Sequence, residues 1–433
     1  MTPEERQGLW KRARATLERN DRGAYTVPTH GLYPFQWNWD SCLVALGQAH
    51  LDEARAWTEI DTLFAHQWPD GMVPHIVFHE PDDGYFPGPE IWATGRPVPT
   101  SGITQPPVAG YVLRALFDTA RDGALARERA AALLPKVDAW HAWFHACRDP
   151  AGSGLVAILH PWESGRDNSI DWDAAFARVP TDGVEPYTRR DTQHADPAHR
   201  PTQAQYDRYV WLLQRFRSLG WDNARLHDAS PFRVVDPGFN AILIRSALDL
   251  AHVADALGER RIAADNRARA EAGLAALESL WRDAAGQYLC FDRAVDTPIE
   301  SLSVGGLIAA FAPLPEARLR AIARRIETLG ERCRHLVPSH DPADPRFDAA
   351  RYWRGPAWLI VNHLIGDGLR AGGEDALAAR IDAAGLALVE TGGFAEYYDP
   401  LSGAAAGGAD FTWTAAMVML LLLREDPTWR PTP

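Results

Sequence analysis

The chain has 433 residues, of which 46% are hydrophobic and 23% charged, and its formal net charge is −13. An excess of carboxylates with no block of Lys or Arg argues against nucleic acid and anionic membrane as partners, because both require a clustered positive face. The most apolar stretch, 415–423, is too short to span a bilayer, and Cys42, Cys147, Cys290 and Cys333 stand far apart without metal-ligand spacing, as thiols do in a reducing compartment.

The first residues, Met1-Thr2-Pro3-Glu4-Glu5-Arg6, are charged and polar and lack the apolar core of a signal peptide, so a cytoplasmic protein is expected. Apolar residues then return at helical spacing over 3–20, 38–50, 53–67, 103–121, 124–147, 202–219, 236–256, 259–282, 300–311, 315–329, 355–371, 373–391 and 411–423. Strand-like alternation is scarce, and an all-α fold follows. Tight connections at Gly258, Pro313-Leu314-Pro315 and Gly372-Gly373 contrast with long loops at 68–102, 148–201, 331–354 and 392–410. If helices alternate up and down, short turns make hairpins and the long loops gather at one end. Segment 202–219 breaks this parity, standing between the irregular stretches 148–201 and 220–235 without a hairpin partner. Set aside as an excursion within 148–235, it leaves about a dozen helices as six inner–outer pairs, the number a closed (α/α)6 toroid needs. The expectation is a single domain over 1–433, with the excursion as a lid on its mouth.

Four segments on those loops concentrate chemistry. In chain order they are Tyr33-Pro34-Phe35-Gln36-Trp37-Asn38-Trp39-Asp40-Ser41, then His160-Pro161-Trp162-Glu163-Ser164-Gly165-Arg166-Asp167-Asn168-Ser169, then Arg351-Tyr352-Trp353-Arg354-Gly355-Pro356-Ala357-Trp358, and last Gly392-Gly393-Phe394-Ala395-Glu396-Tyr397-Tyr398-Asp399-Pro400. The chain holds 17 Trp, and several sit in irregular segments beside carboxylates: Trp37, Trp39, Trp68, Trp92, Trp162 and Trp353. Flat apolar rings suit the C–H faces of a pyranose, and carboxylates and amides bind its hydroxyls. Two carboxyl groups flanking a glycosidic bond can hydrolyse it if one stays protonated and the other ionised, a split that an aromatic-framed site produces by unequal desolvation. On the residues alone Asp167 is either such an acid or a helix cap, with Glu163 as its main rival and Asp171 and Asp173 as weaker ones. Asp40 opens a helix and either caps it or binds a hydroxyl. Glu396 carries aromatic residues on both sides, which favours a buried role over a surface turn. His75, His79, His160 and His363 read as ordinary polar or core residues, and no metal is assigned.

The segments Glu163-Ser164-Gly165-Arg166-Asp167-Asn168-Ser169, Trp353-Arg354-Gly355-Pro356-Ala357-Trp358 and Phe394-Ala395-Glu396-Tyr397-Tyr398-Asp399-Pro400, the last followed by Leu401-Ser402-Gly403, resemble glycoside hydrolase family 63 and the related trehalases. Trp37-Asn38-Trp39-Asp40-Ser41, Thr104-Gln105-Pro106-Pro107 and Tyr206-Asp207-Arg208-Tyr209 add, in matching order, a likeness to the bacterial mannosylglycerate and glucosylglycerate hydrolases of that family. The resemblance runs from about residue 30 to about residue 420. It implies an (α/α)6 barrel without a cofactor that hydrolyses an α-glycoside of D-glycerate, with inversion, to free hexose and glycerate.

By the same resemblance Asp167 is the general acid and Glu396 the general base, with carboxyl groups about 6.5–9.5 Å apart to admit a water. Trp37, Trp39, Asp40 and Gln105 match the sugar subsite; Tyr85, Arg200, Tyr206, Tyr352 and Trp353 match the region around a small anionic aglycone. Tyr33, Trp162, Gly165, Gly355 and Trp358, from the same segments, complete the expected substrate-binding set. Arg200 suits a bidentate clamp on the glycerate carboxylate, with Arg166 and Arg354 as rivals for that anion. The remaining alternatives are an α-glucosidase or trehalase-like enzyme on a neutral sugar, a sugar epimerase of the same barrel type, which needs paired histidines, and a non-catalytic sugar-binding protein. The sole expected partner is the glycoside substrate, with room left for a homo-oligomer. Glucose and mannose differ only in the orientation of one hydroxyl, so the sequence does not choose between them.

Overall fold

The computed structural model describes residues 1–191 and 197–431; residues 192–196 of the long 148–201 loop, and 432–433, lie outside the described residues. Each helical stretch read from the periodicity contains a helix. Local chemistry sets the ends. Thr2 and Glu5 form a capping box at the start of helix Pro3–Asn20, Thr202 and Gln205 another at Gln203–Ser218, and Asp236 caps Pro237–Leu257, whose first residue is proline.

Three stretches are shorter than the periodicity suggested. Residues 103–108 are irregular and the helix begins at Ala109, because two consecutive prolines follow Gln105 and proline disfavours helical backbone in the residue before it. Helix Leu359–Ala371 begins after Trp358, since Ala357 is bridged to Pro338 and Tyr398. Residues 281–282 leave the helix to pair with Gln287–Tyr288. Short helical turns at Pro89–Trp92, Asp173–Phe176 and Asn223–Ala229 sit inside loops that carried no helical pattern. The strands are two-residue pins: Gln36–Trp37 pairs with Ile76–Val77, and Tyr397–Tyr398 with Ala405–Ala406.

Packing follows a cycle. Helix Asn38–Gln48 packs against Ala109–Asp118, that against Pro237–Leu257, that against the 304–311 segment, that against Leu359–Ala371, that against Thr412–Glu425, and the last returns to Asn38–Gln48. Every residue of Asn38–Gln48 is buried, as a helix enclosed on all sides requires. Pro3–Asn20 instead buries one face through Leu9, Trp10, Ala13 and Leu17. It lies outside Thr412–Glu425, clasped by Arg6 to Glu425 and Asp426. Glu53–Phe64, Arg260–Leu277 and Asp375–Gly392 back their preceding helices in the same way. Gln203–Ser218 belongs to no such pair. It contacts the Pro89–Trp92 turn, and Tyr206 and Tyr209 donate to the carbonyls of Phe86 and Asp167. Among the described residues no helix is long and apolar enough to cross a membrane.

Candidate active site

All four long loops, with the 33–40 segment, meet at one cavity of about 900 Å³ including the open space at its mouth. Trp37, Trp39, Asp40, Gln105, Trp162, Gly165, Tyr33, Tyr85, Arg200, Tyr206 and Tyr352 all line it, together with Asp167 and Glu396. The inner helices deliver several of these groups from their first turns. The Gln36–Trp37 strand runs straight into Asn38–Gln48, whose Trp39 backbone N–H donates to Gln105 Oε1 at 3.1 Å.

Asp167 sits on the loop 164–173, which is anchored by a buried guanidinium. Arg166 reaches Asp171 and Asp236 at 2.8 Å each and lies over the Trp172 ring. Trp172 Nε1–H donates to the Arg166 carbonyl at 2.7 Å. Gly165, at φ 68°, takes a turn disfavoured for other residues, and a Cβ there would stand 2.6 Å from the Trp39 ring. The carboxyl is therefore held in place from behind and left partly open to the cavity in front.

Glu396 is surrounded by donors. Tyr33 and Tyr352 hydroxyls donate to Oε1 at 3.1 and 3.2 Å, and the Gly408 N–H donates to Oε2 at 2.9 Å. Gly407 is what lets that backbone approach, since a Cβ on it would lie 2.3 Å from Oε2. The carbonyl of Glu396 accepts from Trp413 Nε1–H at 3.3 Å.

Electrostatics separates the two acids. Burial pushes the Asp167 carboxyl up to about 7; Arg200 opposes the rise, and the negative charge of Glu396 adds to it. A hydrogen bond from its own backbone lowers it, and the negative charge of Asp191 adds to the rise. Burial leaves Glu396 above its ordinary value as well, with Arg200, the Gly408 N–H and both tyrosine hydroxyls opposing the rise and favouring the carboxylate. Asp40, also lining the cavity, is raised well above the usual carboxylate range by burial and then by its two acidic neighbours. The arrangement can therefore supply one carboxyl half-protonated near neutrality opposite one stabilised as the carboxylate.

Arg200 is the buried cation of this wall. Its Nη2 donates to Tyr33 at 3.4 Å, its Nε lies 3.5 Å from Asp191, and its guanidinium carbon sits 4.4 Å from the Tyr352 ring centre. Among the described residues Nη1 is buried without a hydrogen-bond partner.

The rival candidates are occupied elsewhere. Glu163 pairs with Arg148 at 2.7 Å and accepts from the Leu159 N–H, away from the cavity wall. Asp171 is tied to Arg166, and Asp173 to Arg354 at 2.8 Å, which also commits both rival arginines. Among the described residues there is no group of three or more His, Cys, Asp or Glu side chains arranged to hold a metal.

Three expected wall residues stand behind the wall instead. Trp353 and Trp358 are stacked at 3.8 Å and 2°, with Tyr397 stacked on Trp358 at 4.7 Å, and Gly355 packs against the Asp348 carbonyl. None of the three is among the residues lining the cavity; what this slab presents to it is Tyr352, at φ 35°. The Trp353 N–H also donates to Asn168 Oδ1 at 3.0 Å, locking the slab to the Asp167 loop.

Sequence reasoning missed other members of the wall: His75, Arg190, Asp191, Tyr209, Phe411 and Trp413. For Phe411 and Trp413 a signal existed. They flank the first turn of an inner helix just after Gly407-Gly408, the same arrangement that drew attention to Trp37 and Trp39. Arg190 and Asp191 carried no signal beyond loop charge.

The chain is similar to known glycoside hydrolases over most of its length. The mannosylglycerate hydrolase MGH1-like glycoside hydrolase domain matches residues 33–414. A mannosylglycerate hydrolase of Selaginella moellendorffii is 48% identical over 95% of this chain and 85% of its own. A glucosylglycerate hydrolase of Mycolicibacterium hassiacum is 37% identical over 95% and 97%. The crystal structure of a family 63 mannosylglycerate hydrolase from Thermus thermophilus in complex with Tris and D-glycerate superposes with a TM-score of 0.92 at 48% identity, covering 95% of this chain and 99% of that one. The chain belongs to the MGH1-like family of glycoside hydrolases.

Proposed function

We propose that the chain hydrolyses an α-glycoside of D-glycerate, glucosylglycerate or mannosylglycerate, with inversion at the anomeric carbon, Asp167 acting as general acid and Glu396 as general base. The observation that carries the acid–base reading is the unequal surroundings of the two carboxyl groups in one cavity, Asp167 raised to about 7 and Glu396 held by three donors. Protonated Asp167 gives its proton to the glycosidic oxygen as the bond to the anomeric carbon breaks. Glu396 takes a proton from a water that attacks the opposite face. Exchange with solvent returns Asp167 to the acid and Glu396 to the carboxylate. The cycle of six inner helical segments, most of them backed by an outer helix, supports the (α/α)6 barrel of this reading. Helix Gln203–Ser218 is its lid, and four unpaired thiols suit a reducing cytoplasm.

Arg200 supports the anionic aglycone. A buried guanidinium with a free Nη1, beside Tyr33 and Tyr352, is a ready partner for a carboxylate. A neutral disaccharide could offer that nitrogen only uncharged hydroxyl acceptors, a weaker match for a guanidinium than a carboxylate, which disfavours the trehalase-like alternative. The names of the relatives point the same way. NMR of the first-formed sugar tests the reaction: incubation with either glycosylglycerate is expected to yield β-hexose initially, and initial α-hexose, or no cleavage of either substrate, overturns it.

Arg200→Ala is expected to raise KM for glycosylglycerates by about 10- to 100-fold, the loss of a charge-assisted hydrogen bond, and to change turnover of a neutral aryl α-glucoside far less. Since Arg200 lowers the pKa of both Asp167 and Glu396, its removal should also move the whole pH–rate profile upward. Equal losses on charged and neutral substrates would refute the clamp.

A further inference from the structure

Among the buried imidazoles most have an evident structural duty. His141 bonds Asn266 and Ser246, His160 bonds the Tyr209 carbonyl and the Trp162 N–H, and His363 bonds Tyr111 and Arg424. His75 does not fit this pattern. Its backbone is fixed on both sides, its N–H donating to the Ile103 carbonyl at 2.8 Å and its carbonyl accepting from the Asn38 N–H at 3.0 Å. Its ring is 6% exposed and lies beside the rings of Trp162 and Trp92, at 6.3 and 6.1 Å between centres. Among the described residues that ring makes no hydrogen bond, and Nδ1 is buried without a partner.

A phenyl ring would fill this space without stranding a polar group, so packing alone does not account for an imidazole there. Unlike the other buried histidines named above, His75 lines the cavity, with its ring beside that of Trp162, one of the residues expected to bind substrate. From this placement we infer that His75 is a specificity-determining residue of the sugar subsite, its imidazole hydrogen bonding one hydroxyl of the hexose ring. The inference rests on the reading of the cavity as a sugar site. Burial, reinforced by the nearby His160, holds the imidazole pKa down at about 3, so the ring stays neutral at working pH and meets a hydroxyl as an uncharged partner. That property distinguishes it from Asp40, Asp167 and Glu396, whose carboxyl groups carry or exchange protons. Neutrality also separates it from the acid–base pair in experiment, since the two limbs of the pH–rate profile should survive its replacement.

The test compares His75→Phe and His75→Gln with the unmodified enzyme, using calorimetric binding of free glucose and mannose and of their monodeoxy analogues. Both hexoses occupy the sugar subsite without needing the aglycone region. His75→Phe is expected to weaken the preferred hexose by about tenfold, and one deoxy analogue alone should bind the variant and the unmodified enzyme equally. His75→Gln, which keeps a neutral donor and acceptor, should recover part of the loss. If the Phe variant does not fold, the Gln variant carries the test: it should change the ranking of the deoxy analogues at one ring position. Affinities within twofold of the unmodified enzyme, or a loss equal across every deoxy analogue, would overturn the inference. Failure of the unmodified enzyme to bind either hexose would instead overturn the sugar-site reading itself.

Discussion

Asp167→Asn is expected to lower kcat on a glycosylglycerate by about a thousandfold or more, in the upper range for loss of a general acid, while leaving the fold intact. The amide keeps the size and place of the carboxyl, and Gly165, Arg166 and Trp172, which hold this loop, are untouched. The loss should depend on the leaving group. Glycerate departs as an alkoxide unless it is protonated, whereas fluoride departs unaided, so an α-glycosyl fluoride should be turned over far less impaired by the variant. In the unmodified enzyme the rate should fall as pH rises through about 7, where Asp167 loses its proton; in the variant that alkaline limb should vanish.

The stability contribution of this carboxyl also falls as pH rises. A carboxyl whose folded pKa lies above its unfolded value favours folding in its protonated form, and that advantage is lost as pH climbs from the unfolded value toward about 7. The amide does not titrate, so the variant should melt above the parent at pH 8 and show no such gain at pH 4. Retained activity on the glycerate substrate, or an unchanged alkaline limb, would remove Asp167 from the acid's position.

Glu396→Gln should be as damaging, by about a thousandfold or more in kcat, but with no relief from a better leaving group, because what is lost is the activation of water. The local hydrogen bonds predict how the amide settles. Gly408 N–H can only donate, so the amide oxygen must take the Oε2 place, leaving the NH2 to donate to the Tyr33 and Tyr352 hydroxyls, which can reverse their roles. Folding should therefore survive. Glu396→Ala opens space beside the same hydroxyls, and added azide should restore turnover while forming the β-glycosyl azide. An α-azide, or azide rescue of Asp167→Ala in preference to this variant, would exchange the two assignments. Together the fluoride and azide experiments separate the roles without reference to distance.

Much of this architecture is visible in the residue pattern because its units are local. Helical hairpins announce themselves by apolar spacing and by Thr2, Thr202 and Asp236 at their starts. Loop lengths alternate along the chain, so parity alone brings Tyr33, Asp167, Tyr352 and Glu396 toward one face. What parity cannot supply is direction within a segment. Trp353 and Trp358 share a stretch with Tyr352, yet they turn into a stacked slab while Tyr352 turns into the cavity, a distinction made by backbone angles. Conversely, Asp191 lies in a loop whose charges look solvated, and it enters the site because Arg200 and Arg189 converge on it from either side. His75 reads in the sequence as an ordinary polar or core residue because a histidine in a mainly apolar stretch is usually satisfied by its surroundings; that its Nδ1 has no hydrogen-bond partner among the described residues is a property of three-dimensional packing alone.

The clasp between Pro3–Asn20 and Thr412–Glu425 carries a further meaning for biosynthesis. The Asp167 loop leaves the ribosome with more than half the polypeptide still to come, whereas Glu396, Gly408 and Trp413 emerge almost together with the last helix. On the proposed assignment a nascent chain thus holds the proton donor long before the group that primes water, and hydrolysis cannot begin until the Thr412–Glu425 helix has been made and has packed.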